Sequence, residues 1–141
     1  DMFATVFAAF LIGHYLGDYF VQTDHQAQHK GLTGSHSNEG RRNCMVHAVT
    51  YTATLAGVLA VVLNVEDVEF SAAEPLVVWS ALILNGITHY VIDRRWTLEA
   101  FARRIGKSGW LDNDPEALPK LDQAAHVVLL GVFALLIAAL I

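Results

Sequence analysis

Residues 121–141 read LDQAAHVVLLGVFALLIAALI, and from Val127 onward no polar side chain interrupts the run. As an α-helix this stretch rises about 31 Å at ~1.5 Å per residue, enough to cross the ~30 Å of a bilayer's hydrocarbon core. Three further stretches of similar length and character lie upstream, at about 2–22, 44–63 and 75–96. Together the four blocks take up more than half of the 141 residues. Hydrophobic residues make up 54% of the chain and charged ones only 16%, well below the usual share in soluble domains. The pattern predicts an all-α fold: one integral-membrane domain over 1–141, a four-helix bundle running antiparallel, up-down-up-down. The first block lacks the basic start and small-residue cleavage site of a signal peptide. A lone Cys44 leaves no internal disulfide and makes no metal motif by itself.

Charge sets the expected orientation. The net charge of −5 hides a segregation of sign. Lys30, Arg41 and Arg42 fall between spans 1 and 2, Arg94 and Arg95 end span 3, and Arg103, Arg104, Lys107 and Lys120 precede span 4. The opposite side has Asp1 and the loop 64–74, with Glu66, Asp67, Glu69 and Glu74 and no Lys or Arg. The positive-inside rule then places the basic loops in the cytoplasm and both termini outside. Pro75 suits a first helical turn, and Trp79 and Trp96 suit the two interfaces. Leu98, Phe101, Ala102 and Ile105 recur at helical spacing opposite Arg103, Arg104 and Lys107. An amphipathic helix over 97–107 on the cytoplasmic leaflet, or a solvated helix end, accounts for them. The segment 23–43 shows no apolar period and reads as irregular, with Asp24 capping a following turn. Nothing in this pattern points to nucleic acid; the expected partner is the bilayer, with a homo-oligomer left open.

The spans carry polar residues in register. His14 and Asp18 lie four apart in span 1, with Gln22 one turn on; His89 and Asp93 repeat the spacing in span 3, with Asn85 one turn before. Span 4 opens with Asp122 and His126, and span 2 contributes His47. At ~1.5 Å per residue, His14 and Asp18 lie about 12 and 6 Å before the end of span 1, and His89 and Asp93 about 10 and 5 Å before the end of span 3. His47 and His126 lie roughly 5 Å into helices that run the other way. All seven therefore fall in one slab near the cytoplasmic face. Unpaired ionisable groups in a bilayer are costly and mark functional sites by default. Neutral imidazole with carboxylate is the ligand set of zinc, manganese or iron. One or two divalent ions held by His14, Asp18, His47, His89, Asp93, Asp122 and His126 is the leading expectation; a hydrated proton-relay cluster and simple packing are the alternatives. Gln22, Asn85 and Gln123 are candidates to orient those ligands. Arg41, Arg42, Arg94 and Arg95 set topology or hold an anionic substrate at the mouth of the site. His25, His29 and His36 read as solvated loop histidines, and Gly13 and Gly17 as a close helix contact.

The run His14-Tyr-Leu-Gly-Asp18-Tyr-Phe-Val-Gln22, then His47, then His89-Tyr-Val-Ile-Asp93, then Leu121-Asp122-Gln123-Ala-Ala-His126 resembles an uncharacterised family of small bacterial and phage membrane proteins. The resemblance covers nearly the whole chain and implies a place in a bacterial inner membrane. More distantly the pattern is similar to membrane-bound metal-dependent hydrolases, which implies hydrolysis by analogy alone. On that expectation the metal polarises an amphiphilic phosphoester near the interface, and Asp122 or Asp18 serves as general base. Two other readings stay open. One is a transporter of metal ions or protons, set back by the apolar outer halves of the spans. The other is a structural or regulatory membrane protein with a metal-stapled core.

Overall fold

The computed structural model describes residues 1–69, 71 and 74–141, and every regular element among them is helical. Helix α1 spans Met2–Leu16 and continues without a break into a wider π-type turn, Gly17–Val21, closed by Gln22 N–H donating to the Gly17 carbonyl at 2.9 Å. Helix α2 spans Asp24–His29, α3 Ser37–Val65, α4 Glu74–Asp93, α5 Trp96–Arg104, α6 Ser108–Asn113 and α7 Ala117–Leu140. The helices built on α1, α3, α4 and α7 are each long and apolar enough to cross a membrane. The loop expected over 64–74 falls partly on residues 70, 72 and 73, which lie outside the described residues.

Each long helix packs on two others: α1 on α3 and α7, and α4 on α3 and α7. Small residues set the approach. A Cβ at Gly13 would stand 3.2 Å from the Leu55 backbone, and one at Gly17 only 2.8 Å from the Tyr51 ring. That pairing, 13 with 55 and 17 with 51, makes α1 and α3 antiparallel. Gly86 against Thr52 and Tyr90 against Cys44 do the same for α3 and α4. Half of the bundle interior is an ordinary apolar core of Val6, Phe10, Leu55, Leu59, Leu82, Leu130 and Ile137. Outward, the large apolar side chains of Ile12, Val49, Ile83, Ile87, Val128 and Leu135 are exposed.

The segment 23–36 departs from its expected irregularity. Thr23 opens α2 with a capping box: its hydroxyl accepts from Gln26 N–H while Gln26 Oε1 accepts from Thr23 N–H. Thr23, not Asp24, is thus the cap, and Asp24 is the first helical residue. Helix α3 begins at Ser37, seven residues before the apolar block at 44, because polar residues at its head carry the helix beyond the apolar stretch. Arg94 pins the intervening loop, donating to the carbonyls of Lys30 and Leu32 at 2.7 Å each.

After α4 the chain reverses at Arg95, which adopts φ 57°, ψ −50° while Trp96 N–H donates to the Arg94 carbonyl at 2.6 Å, a γ-turn that is rare and strained. Helix α5 matches much of the amphipathic segment expected at 97–107, ending earlier as Gly106 takes φ 85°. Leu98 and Ala102 are buried while Trp96, Phe101 and Ile105 stay exposed, so its apolar residues face two ways. Between α6 and α7, the Asp114 carboxylate accepts from Glu116 N–H, Lys120 and Trp110, which hold it below its ordinary range.

Candidate metal centre

At the end of the bundle where α1 and α4 finish and α3 and α7 begin, the apolar core gives way to imidazoles and carboxylates. His14, His47, His89, His126 and Asp93 are all buried, and the Asp18 side chain is only 7% exposed. His47 Nε2 and His89 Nε2 lie side by side, with Asp93 Oδ2 and Asp18 Oδ1 each near both of them. His47 Nε2 lies 3.0 Å from His89 Nε2, 3.2 Å from Asp18 Oδ1 and 3.2 Å from Asp93 Oδ2. His89 Nε2 lies 3.1 Å from Asp93 Oδ2 and 3.7 Å from Asp18 Oδ1. A tetrahedron of nitrogen and oxygen ligands with bonds of about 2.0–2.1 Å has edges of about 3.3–3.4 Å. The three edges among His47, His89 and Asp93 measure 3.0–3.2 Å, slightly under that value, and Asp18 Oδ1 stands 3.2 and 3.7 Å from the two imidazoles. Asp18 Oδ1 lies near His47 Nε2 without the alignment of a hydrogen bond. Two imidazole Nε2 atoms at 3.0 Å can share at most one proton, so at least one lone pair points into the space between them.

The same carboxylates turn their other oxygens toward two further histidines. Asp93 Oδ1 stands 3.9 Å from His126 Nε2, and Asp18 Oδ2 stands 3.6 Å from His14 Nδ1. Asp122 Oδ2 is 3.6 Å from His126 Nδ1, and ligand atoms of Asp93, Asp122 and His126 all lie within 4.8 Å of one another. His126 Nδ1 also lies 2.9 Å from the Asp122 carbonyl, which takes its N–H and leaves Nε2 as the lone pair facing Asp93. Gln123 does likewise for His14: its Oε1 sits 3.3 Å from Nε2, leaving Nδ1 toward Asp18, while its amide donates to Asp122 Oδ2 at 3.4 Å. His14 Nδ1, Asp93 Oδ1, Asp122 Oδ1 and His126 Nε2 are buried without a hydrogen-bond partner. Buried polar atoms are nearly always paired, so orphans that converge in this way fit cation ligands.

Local helix geometry explains the convergence. The i, i+4 spacings put His14 over Asp18, His89 over Asp93 and Asp122 over His126. The π-type turn that starts at Gly17 falls on Asp18, and such turns concentrate at functional sites. Tyr51 stacks on the His89 ring with centroids 3.6 Å apart and fixes its plane.

One residue of the centre has no counterpart among the sequence candidates. Lys30, at the end of α2, is buried and donates to Asp93 Oδ2 at 2.9 Å. The capping box at Thr23 was the available signal that residues 23–30 fold, and folding is what carries Lys30 under the bundle. Asn85 is buried near the middle of α4 with Oδ1 unpartnered, and it makes no side-chain hydrogen bond to the cluster. Gln22 has its Nε2 buried without a partner. The four arginines separate: Arg94 is spent on loop carbonyls, Arg41 donates to Ser37 Oγ, and Arg42 borders a pocket near α2. Arg95 lines a pocket of about 310 Å³ with Asp18, Gln22, Lys30, Asp122 and Gln123, which opens beside the buried centre.

The model of a family described as a protein of unknown function (DUF3307) matches residues 6–141. No curated protein and no solved structure matches the chain.

Proposed function

The chain belongs to the DUF3307 family, and we propose that it is a membrane-embedded, metal-dependent hydrolase acting on an amphiphilic phosphoester at the cytoplasmic face of a bacterial inner membrane. The observation that carries this reading is the buried group of His47 Nε2, His89 Nε2 and Asp93 Oδ2, 3.0–3.2 Å from one another, with Asp18 Oδ1 beside both imidazoles. His126 and Asp122, whose ligand atoms lie within 4.8 Å of Asp93, would hold a second ion, with His14 beside Asp18 as a further donor. Paired ions about 3.5–4 Å apart are a recurring device for phosphoester hydrolysis, since one holds the attacking oxygen and the other the leaving one. Zinc, manganese or iron fits this imidazole and carboxylate donor set.

Membrane insertion is supported by the belt of exposed apolar residues and by the four long apolar helices. The nine basic residues all belong to the end of the bundle that holds the centre, which favours a cytoplasmic location for it. There the pocket beside the centre offers Arg95 and Lys30 to a phosphate, while the exposed Tyr19 and Phe20 next to it face the lipid tails. Asp122 lines that pocket and is free on Oδ1, so it is placed to take a proton from the attacking water. The transport alternative finds little support. Beyond the centre the bundle interior is filled by Phe10, Leu55, Leu59, Leu130 and Ile137, with no polar path onward among the described residues.

The test is phosphate release from lipid phosphates by protein reconstituted in vesicles, with chelation and metal add-back. The reading requires turnover that disappears with chelator and returns with zinc or manganese. Turnover indifferent to chelation, or none on any lipid phosphate with the metal bound, would contradict it.

A further inference from the structure

A second group of metal-type ligands sits outside the bundle, where α2 docks on the head of α3. His25 and His29 lie four apart on α2 and present Nε2 to the same oxygen, Glu39 Oε1, at 3.9 and 3.8 Å. His36 Nδ1 stands 3.7 Å from the other oxygen, Oε2. The ligand atoms of His25, His29 and Glu39 lie within 4.8 Å of one another.

Two details argue against two simple ion pairs. His29 Nδ1 lies 2.8 Å from the His25 carbonyl; donating its N–H there leaves Nε2 as a bare lone pair aimed at the carboxylate. The two rings also stack with centroids 4.1 Å apart and planes within 22°, a separation at which two imidazolium charges would repel. A neutral His29 ring, with its Nε2 lone pair facing the carboxylate, repels it as well. One divalent cation among the three resolves both conflicts, and imidazole with carboxylate is a zinc-type set. The group borders an open pocket of about 720 Å³, which gives an ion and its water ligands access.

We propose that His25, His29 and Glu39 form a second, solvent-facing site for a divalent transition metal, with His36 as an available fourth ligand. The ion would clamp α2 to α3. His29 directly precedes Lys30, whose ammonium reaches Asp93 in the buried centre, so the clamp would steady the arm that delivers it.

Zinc alone is the probe, titrated into chelator-stripped, detergent-purified full-length chain and followed by calorimetry and metal analysis. Wild type should bind one more zinc ion per chain than the His25→Ala/His29→Ala variant, and Glu39→Gln should weaken that same ion. In His89→Ala the outer ion should remain while the ion at His47, His89 and Asp93 is lost, so the two sites can fail separately. If His25→Ala/His29→Ala binds as many ions as wild type, with the same affinities, the outer site is refuted whatever the buried centre does. Binding that is lost in the double variant but unchanged in Glu39→Gln would overturn the assigned ligand set.

Discussion

Replacing Lys30 with Met should destabilise the metal-free protein severely and the metal-loaded protein hardly at all. Lys30 Nζ lies 2.9 Å from Asp93 Oδ2, with side chains 8% and 1% exposed. Removing one partner of such a buried pair costs about 3–5 kcal/mol, because the remaining charge has no solvent to replace it. When a divalent ion also contacts Asp93, the carboxylate keeps a cation, and the ammonium it loses was repelling that ion. The cost then falls to about 1 kcal/mol or less. The difference, about 2–4 kcal/mol, must reappear by linkage as metal affinity, roughly 30- to 700-fold tighter in Lys30→Met than in wild type. Thermal unfolding in detergent would show a Tm loss on the order of 10 °C with excess chelator and a few degrees at most with zinc. Competition against a chelating dye would read the affinity directly. An equal loss of Tm in both conditions, with unchanged affinity, would mean that no metal contacts Asp93.

Other substitutions separate the roles of neighbouring residues. Gly17→Ala puts a methyl group 2.8 Å from Tyr51, which is itself stacked on His89 and cannot yield. Overpacking of about 1–3 kcal/mol should exceed the ~1 kcal/mol that alanine adds to a helix, lowering both Tm and metal content. Gly57→Ala, which meets nothing within 4 Å, should show only the gain in Tm. Arg94→Ala removes two charged hydrogen bonds to loop carbonyls and should cost about 3 kcal/mol, seen as faster proteolysis within 23–36 while the buried metal is retained. Asp122→Asn should slow lipid-phosphate turnover about 100-fold or more and loosen the second ion, while the ion at His47, His89 and Asp93 is retained; unchanged turnover would remove Asp122 from the chemistry.

Much of the centre was legible because two periodicities intersect. The i, i+4 pairs His14/Asp18, His89/Asp93 and Asp122/His126 fix a face on each helix, and the alternating direction of the apolar blocks fixes their depth. The structure brings those residues and His47 to one place. What escaped the pattern lies where hydrophobic period carries no information. Residues 23–36 have none, so α2 was signalled only by the Thr23/Gln26 box, and Lys30 had no reason to be placed beneath the bundle. Arg94 and Arg95 are adjacent and chemically identical in sequence. Only the γ-turn at Arg95 sends one to the loop carbonyls and the other to the pocket. The pairing of His25 and His29 with Glu39 was hidden for the same reason, since it depends on α3 starting as early as Ser37.

The most direct test of the metal centre is metal content by mass spectrometry, made on detergent-purified protein in a His25→Ala/His29→Ala background so that only the buried ligands remain. With His89 intact, one or two transition-metal ions per chain are expected; with His89→Ala added, the ion at His47, His89 and Asp93 should be lost while the helical content by circular dichroism is kept. Folded protein that stays metal-free after reloading, or a His89→Ala variant that keeps its full complement, would contradict the account. The buried histidines and carboxylates would then stand as a hydrated polar network instead of a metal centre.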